Sequence, residues 1–364
     1  MLGTVTFLGA GATKSCGGPL TGEILPDILR RLNAGGSESN DPSGRATLIR
    51  EFLREQFHVT GASPNEQYPG LPLVMSLIDT ALDRRQSFHH AWTSERLSQL
   101  REAVEFAIFD QLEEQLLKAP TNNHWNLFEH LYGASDEPQV ITTNYDLVAD
   151  TAMMFFGDTR ASGAGGFPDY GCRISNGFYR NEPRRFGSLF KLHGSLNWLT
   201  CRTCARLEIG ASESRRYLKI VAKMLGQEPS LERLFSPDGA PCSICQTKLR
   251  PLLIAPTHLK DYRNPHIAQV WYETEQVLRR AKRVVFVGYS LPDDDVEVVY
   301  LLKRSLSHLN GASVTVVEYA EGGGAVSLLQ HPVGRRYRAL FGDGINWQAG
   351  GLDAWLDAGT PGLV

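Results

Sequence analysis

Two cysteine pairs and one histidine-glycine step are the residues whose types and spacing promise chemistry most directly. Cys201 and Cys204 form one Cys-x-x-Cys pair and Cys242 and Cys245 another, separated by residues 205–241. Two such knuckles supply four thiolates for a tetrahedral Zn²⁺ with no open position, the donor set of a structural site. A redox pair fits less well, since neither sits where a strand runs into a helix. Upstream lies Lys191-Leu192-His193-Gly194-Ser195, beside a strand end at Leu189-Phe190. Histidine titrates near neutral pH and can take a proton from a substrate hydroxyl, although a structural histidine reads the same way.

Four further patterns could bind a ligand. Phe7-Leu8-Gly9-Ala10-Gly11-Ala12-Thr13 runs from a strand into glycines, with a helix expected around 22–32. Glycines let a backbone approach a pyrophosphate, and helix N-termini offer N–H donors. The third glycine of Gly-x-Gly-x-x-Gly is missing, so a tight turn explains the run as well. Thr142-Thr143-Asn144-Tyr145-Asp146 closes a second strand, where Asn144 and Asp146 could bind ribose hydroxyls and an amide or cap a helix near Leu147. Val287-Gly288-Tyr289-Ser290-Leu291 is another strand-to-glycine loop, followed by Asp293, Asp294 and Asp295. Consecutive acids rarely converge on one ion, so a helix cap at Leu291-Pro292-Asp293 is the better reading. Glu318 ends a fourth strand, in the place of a ribose-binding acid or of a surface glutamate.

The elements that must position these residues follow from hydrophobic pattern. Val5–Leu8, Val140–Thr143, Val284–Val287 and Val314–Val317 are short, β-branched and nearly continuous, as strands covered on both faces should be. Helical patterns separate them. One places Leu97, Leu100, Val104, Ile108 and Leu112 on a stripe after a Thr93-Ser94 cap, and another runs from Trp271 to Lys282. The expected fold is α/β, a Rossmann-like parallel sheet with helices on both faces, plus a helical insertion and a small zinc lobe. The divisions are 1–32 for the first part of the Rossmann-like domain and 33–120 for the helical insertion, entered by a flexible joint at 33–44. The domain continues over 121–199, the zinc lobe takes 200–250, and 251–364 completes the domain with a tail holding a short helix at Leu352–Leu356.

The bulk composition restrains the function. At 42% hydrophobic and 21% charged, with a net charge of -3, the chain shows no electrostatic sign of a nucleic-acid or membrane partner. No apolar run reaches the roughly 18 residues that span a bilayer, and the first residues lack a basic region, so the cytoplasm is expected. Cys16 and Cys172 read as small buried side chains.

The order of these motifs resembles the sirtuin superfamily from about residue 4 to 320: Gly-Ala-Gly, Thr-x-Asn-x-Asp, His-Gly-Ser, two Cys-x-x-Cys pairs, Gly-x-Ser-Leu. The wording, with Asn144-Tyr145-Asp146, Leu192 to Trp198 and Gly288 to Pro292, is closer to bacterial SIR2-like proteins of anti-phage defence than to protein deacylases. The resemblance implies NAD+ as substrate and structural Zn²⁺. It implies that Gly9, Ala10, Gly11 and Thr13 cradle the pyrophosphate and that Asn144 and Asp146 hold the nicotinamide ribose. His193 is then the base near that ribose, Gly288 and Ser290 approach the cofactor backbone, and Glu318 meets the adenosine ribose; Asn144 and His193 are the catalytic pair. Deacylases carry a Pro-Asp-Phe-Arg segment after the first loop, where this chain reads Gly17 to Gly22. They clamp an acyl-lysine peptide between two loops, in whose place stand Ile254–Thr257 and Pro292–Asp295. Water is then the acceptor, and an NAD+ hydrolase depleting NAD in abortive infection is expected. The rival readings are a diverged deacylase and a non-catalytic NAD or ADP-ribose sensor. With little chain left for a sensor domain, control is expected from a homo-oligomer or a partner such as a HerA-type ATPase or an Argonaute-like defence protein.

Overall fold

The four apolar runs do form strands, and their neighbours in the sheet settle the topology. In the computed structural model, which describes residues 3–34, 44–60, 67–118, 123–160, 167–175, 186–209 and 241–364, β1 (Thr4–Leu8) lies at the centre of a six-stranded sheet. β2 (Gln139–Thr142) and β3 (Ser188–Lys191) flank it on one side. β7 (Arg283–Val287), β8 (Val314–Val317) and β9 (Asn346–Gln348) flank it on the other. All neighbours pair in parallel, in the order β3-β2-β1-β7-β8-β9. This is the Rossmann order, with its switch point between β1 and β7. Successive residues of β1, β7 and β8 are buried whichever face they point to, which is why these runs are apolar without alternation.

Between β1 and β2 stand α1 (Ala10–Lys14), α2 (Thr21–Ala34), α3 (Arg45–Phe57), α4 (Leu71–Arg84), α5 (Ser94–Lys118) and α6 (Asn123–Ala134). The predicted stripe of α5 is buried at every position from Leu97 to Leu112, and Thr93 caps it through its carbonyl and hydroxyl. α7 (Val148–Arg160) follows β2, and α8 (Pro265–Leu278) precedes β7. α8 starts earlier than the 271–282 expected, because Asn264 caps it, accepting from the N–H groups of His266 and Ile267, with Pro265 in the first turn. It stops at Leu278, leaving Arg279–Lys282 as the turn into β7. α9 (Val296–Ser305), α10 (Pro332–Phe341) and α11 (Gly351–Asp357) complete the chain, the last where a short helix was expected.

A second, antiparallel sheet carries the cysteines. β4 (Gly194–Cys201) leaves the main sheet directly after β3 and pairs with β5 (Leu207–Ile209) and β6 (Leu249–Leu253). Most of the joint expected at 33–44, and residues 210–240 of the expected zinc lobe, lie outside the described residues. The helices and this small sheet share one apolar core: Phe52, Met75, Leu100 and Ile108 pack in the same cluster as Leu199, Cys201, Cys242 and Leu249. Cys16 and Cys172 are buried, as their type suggests.

One polar group runs through the main core. Lys191, fully buried at the end of β3, donates to Asp150 Oδ2 at 2.7 Å and to the Asp146 carbonyl at 2.6 Å, and Tyr170 donates to Asp150 Oδ1 at 2.7 Å. A buried charge is tolerated only when paired, and removing one partner strands the other. Lys191→Met is therefore expected to lower unfolding free energy by about 3–5 kcal/mol. Urea denaturation checks this, and unchanged stability would show the pair to be dispensable.

Candidate functional site

The turns after β1, β2, β3, β7 and β8 all face one cavity of about 460 Å³ at the carboxyl ends of the strands. An open α/β sheet places a ligand there because the chain diverges on either side of the switch point. Ala10, Gly11, Thr13, Asn144, Asp146, His193, Gly288, Ser290 and Glu318 all line it, so the sequence-predicted binding residues converge. Gly9 is the exception. It stands behind the wall and contributes its carbonyl to Asn144.

The glycines have a more specific task than admitting a ligand. A Cβ on Gly9 or Gly11 would collide with the Gly288 backbone, at 2.5 Å and 2.8 Å respectively. Gly288 has φ 60°, and its own Cβ would meet the Ala12 nitrogen at 2.2 Å. The Gly11 N–H donates to the Gly288 carbonyl at 2.8 Å. These residues let the β1 and β7 turns touch across the switch point, which sets the floor of the cavity.

Asn144 and Asp146 are tied to that floor. The Asn144 amide donates to the Gly9 carbonyl and to Thr13 Oγ1, both at 2.9 Å. Thr13 donates in turn to Asp146 Oδ2 at 2.8 Å, and Asp146 Oδ1 accepts from the Val148 N–H at 2.9 Å. Asp146 is thus a cap of α7 and an anchor of Thr13, while the Asn144 carbonyl oxygen is the atom left to face a ligand.

His193 sits one residue before a forced turn. Gly194 has φ 80°, and a Cβ there would meet the Leu252 carbonyl at 2.2 Å, so only glycine allows β4 to lie against β6. The imidazole is buried. Burial pushes its pKa below the ordinary value, opposed by Asp295, so it is neutral near pH 7 and able to accept a proton. Tyr262 Oη lies 3.3 Å from His193 Nε2, and Asp295 Oδ1 lies 3.8 Å from it. At the opposite end Glu318 accepts from the Tyr319 N–H at 3.2 Å through Oε1, and burial raises its pKa. Its Oε2 is buried with no hydrogen-bond partner among the described residues, as a carboxylate awaiting a ligand hydroxyl would be.

Several residues of the cavity escaped sequence reasoning. Lys260 is almost wholly buried and pairs with Asp295 at 2.7 Å and Asp294 at 3.1 Å. No local pattern announces it, because its partners lie in another loop. A helix cap was expected at Leu291-Pro292-Asp293, but Asp293 and Asp294 form a turn and the helix starts later, at Val296. Asp295 does occupy the N-cap of α9, but its carboxylate makes no cap bond and turns to Lys260 and to the Tyr289 hydroxyl. The apolar wall, with Ile24, Leu71, Ile108 and Leu112, comes from α2, α4 and α5, so the helical layer encloses the cavity.

The four predicted cysteines form a second cluster. Their sulfurs lie within 4.8 Å of one another, with Cys201–Cys245 at 3.4 Å, Cys204–Cys242 at 3.6 Å and Cys204–Cys245 at 3.8 Å. Zn–S bonds of about 2.3 Å place tetrahedral sulfurs about 3.8 Å apart, so the cluster fits a structural zinc. Both knuckles turn alike: Ala205 (φ 55°) and Gln246 (φ 60°) are left-handed, and each donates its N–H back to the first cysteine's carbonyl.

The profile described as "SIR2-like domain" matches residues 138–327 of the chain. No curated protein matches it in sequence. Among solved structures, a SIR2 homologue in complex with NAD aligns with 100% of this chain and 91% of its own at 13% identity and a TM-score of 0.44. A Sir2 homologue mutant with ADP-ribose aligns over 93% and 90% at 14% identity and a TM-score of 0.39. A Sir2 protein bound to a propionylated peptide aligns over 87% and 81% at 15% identity and a TM-score of 0.34.

The cysteine geometry carries its own expectation. Elemental analysis of the purified chain should find about one zinc per chain, lost in Cys201→Ser and Cys242→Ser together with stability, since structural zinc contributes on the order of 10 kcal/mol. Metal-free protein of undiminished stability would contradict it.

Proposed function

The chain belongs to the SIR2-like domain family, whose profile spans more than half of it, and from that membership we propose that it is an NAD+ hydrolase releasing nicotinamide and ADP-ribose. The observation that carries this reading is the way the cavity is closed. In the peptide-modifying members of the sirtuin superfamily, an acyl-lysine strand lies between two loops. Here Lys260, just after the Ile254–Thr257 segment, joins Asp294 and Asp295 of the Pro292–Asp295 segment by a buried ion pair. The Ile254–Thr257 segment is also fastened to α4, with Thr257 Oγ1 3.0 Å from Ser76 Oγ and the His258 N–H donating to Ser76 at 2.8 Å. Admitting a peptide strand means separating buried, paired charges; admitting water does not.

The chemistry suits the residues. Nicotinamide in NAD+ carries the positive charge, so it leaves C1′ as a neutral molecule with the bonding electron pair and needs no acid. The ribose passes through a cationic, oxocarbenium-like state, as in glycoside cleavage. Water adds to C1′ and its proton passes to the ribose oxygen that His193 has deprotonated, so the proton held by His193 is the one released to solvent. Asn144 positions that water and the ribose through its side-chain carbonyl, and His193 takes a proton from a ribose hydroxyl. Ala10, Gly11 and Thr13 at the start of α1 face the diphosphate, with Gly9, Gly288 and Ser290 shaping that approach and Asp146 holding Thr13. Glu318 accepts from the adenosine ribose, which explains its unpaired oxygen.

The setting follows from the same resemblance: NAD depletion in anti-phage defence inside the cytoplasm, held in check by self-assembly or by a partner such as a HerA-type ATPase. No helix among the described residues is long and apolar enough to cross a membrane.

Purified protein incubated with NAD+ should release nicotinamide and ADP-ribose without any acetylated peptide. His193→Ala should lower the rate by about 10²–10⁴-fold and Asn144→Ala comparably, with both variants folded. Release only when peptide is present would establish deacylation instead, and tight binding without turnover in every assembly state would establish a sensor.

A further inference from the structure

His193 is surrounded by groups from three segments. The turn after β2 brings Thr143, whose backbone hydrogen-bonds the imidazole, and Tyr145. The stretch following β6 brings Lys260 and Tyr262, and the start of α9 brings Asp294 and Asp295. Burial holds the phenols of Tyr145, Tyr262 and Tyr289 above their ordinary range, so they stay neutral. Glu105, behind Tyr145, is paired with Arg101. The charges facing the imidazole are therefore one ammonium and two carboxylates, one net negative charge.

Asp295 is held at both of its carboxylate oxygens. Its Oδ1 meets Lys260 Nζ at 2.7 Å, and its Oδ2 accepts from the Tyr289 hydroxyl at 2.9 Å. Its side chain is 6% exposed, and that of Lys260 is 1% exposed. A carboxylate at a helix N-cap ordinarily turns to the free N–H groups of the first turn. This one makes no such bond and is held instead 3.8 Å from His193 Nε2. That separation is too long for a hydrogen bond and right for an ion pair, so the contact gains strength when the imidazole carries charge.

We propose that Asp295 is a positioning residue for His193, held by Lys260 and Tyr289 so that its carboxylate steadies the imidazolium formed when His193 takes a proton from the substrate ribose. The proposal rests on the hydrolase reading for its catalytic consequence, but not for its geometry. Lys260 has a double part: it holds Asp295 in place and opposes protonation of His193.

The signs of the two charges give the test. Removing the carboxylate disfavours the imidazolium, so His193 stays a base to lower pH. Removing the ammonium favours the imidazolium, so His193 is lost as a base at higher pH. The acid limb of kcat/KM for nicotinamide release should therefore move to lower pH in Asp295→Asn and to higher pH in Lys260→Met. Asp295→Asn should also lower kcat by about 10²-fold while calorimetric affinity for NAD+ changes little. A merely structural loss moves both limbs alike or neither, and that result, or wild-type kcat in Asp295→Asn, overturns the proposal. If the wild-type chain releases no nicotinamide in any assembly state, the hydrolase reading fails separately. The His193 titration midpoint, followed by NMR in ¹⁵N-histidine-labelled protein, then decides the positioning: opposed displacements in the two variants support it, and an unmoved midpoint overturns it.

Discussion

The approach of the β1 turn to the β7 turn is the contact on which the rest of the site depends. Gly9 and Gly11 lie against Gly288 with no room for a Cβ on any of them, and a backbone hydrogen bond joins Gly11 to Gly288. Because Thr13 follows in α1, its hydroxyl reaches both Asn144 and Asp146. Separating the two turns by the width of a methyl group would remove the floor of the cavity and the register of its polar lining together.

Behind that floor the polar groups form a continuous chain. Asn144 hangs from Gly9 and Thr13, Thr13 from Asp146, and the Asp146 carbonyl from Lys191, which is paired with Asp150 and through it with Tyr170. Buried networks are costly when incomplete and rigid when complete. Here completeness fixes the Asn144 turn and the end of β3, two residues before His193. Asn144 and the strand end that leads to His193 are thus held by one network, while the helical layer supplies an apolar wall to the cavity.

Much of this could be read from the sequence, for definable reasons. The buried strands announce themselves because a strand covered on both faces must be apolar throughout, and the cysteine pairs because their spacing is local. The residues that converge on the cavity were legible through their order along the chain, since Asn144, His193, Gly288 and Glu318 each follow a strand. Contacts between distant segments were not legible. Lys260 has no local signature, and its partners lie in another loop. Asp295 stands where a cap belongs, and only its surroundings reveal that its carboxylate turns elsewhere. The glycines were noticed, but their closeness to Gly288 was hidden by the hundreds of residues between them. The apolar core shared by the helices and the cysteine sheet was likewise invisible, because each segment shows an amphipathic pattern without naming its partner.

We infer that the cavity at the switch point holds a dinucleotide in one orientation. A crystal structure of the His193→Ala chain with NAD+ tests it most directly. The account predicts the diphosphate at the start of α1, the nicotinamide ribose within hydrogen-bond reach of Asn144, and the adenosine ribose on Glu318 Oε2. A dinucleotide bound in the reverse direction, or outside the cavity, would contradict it.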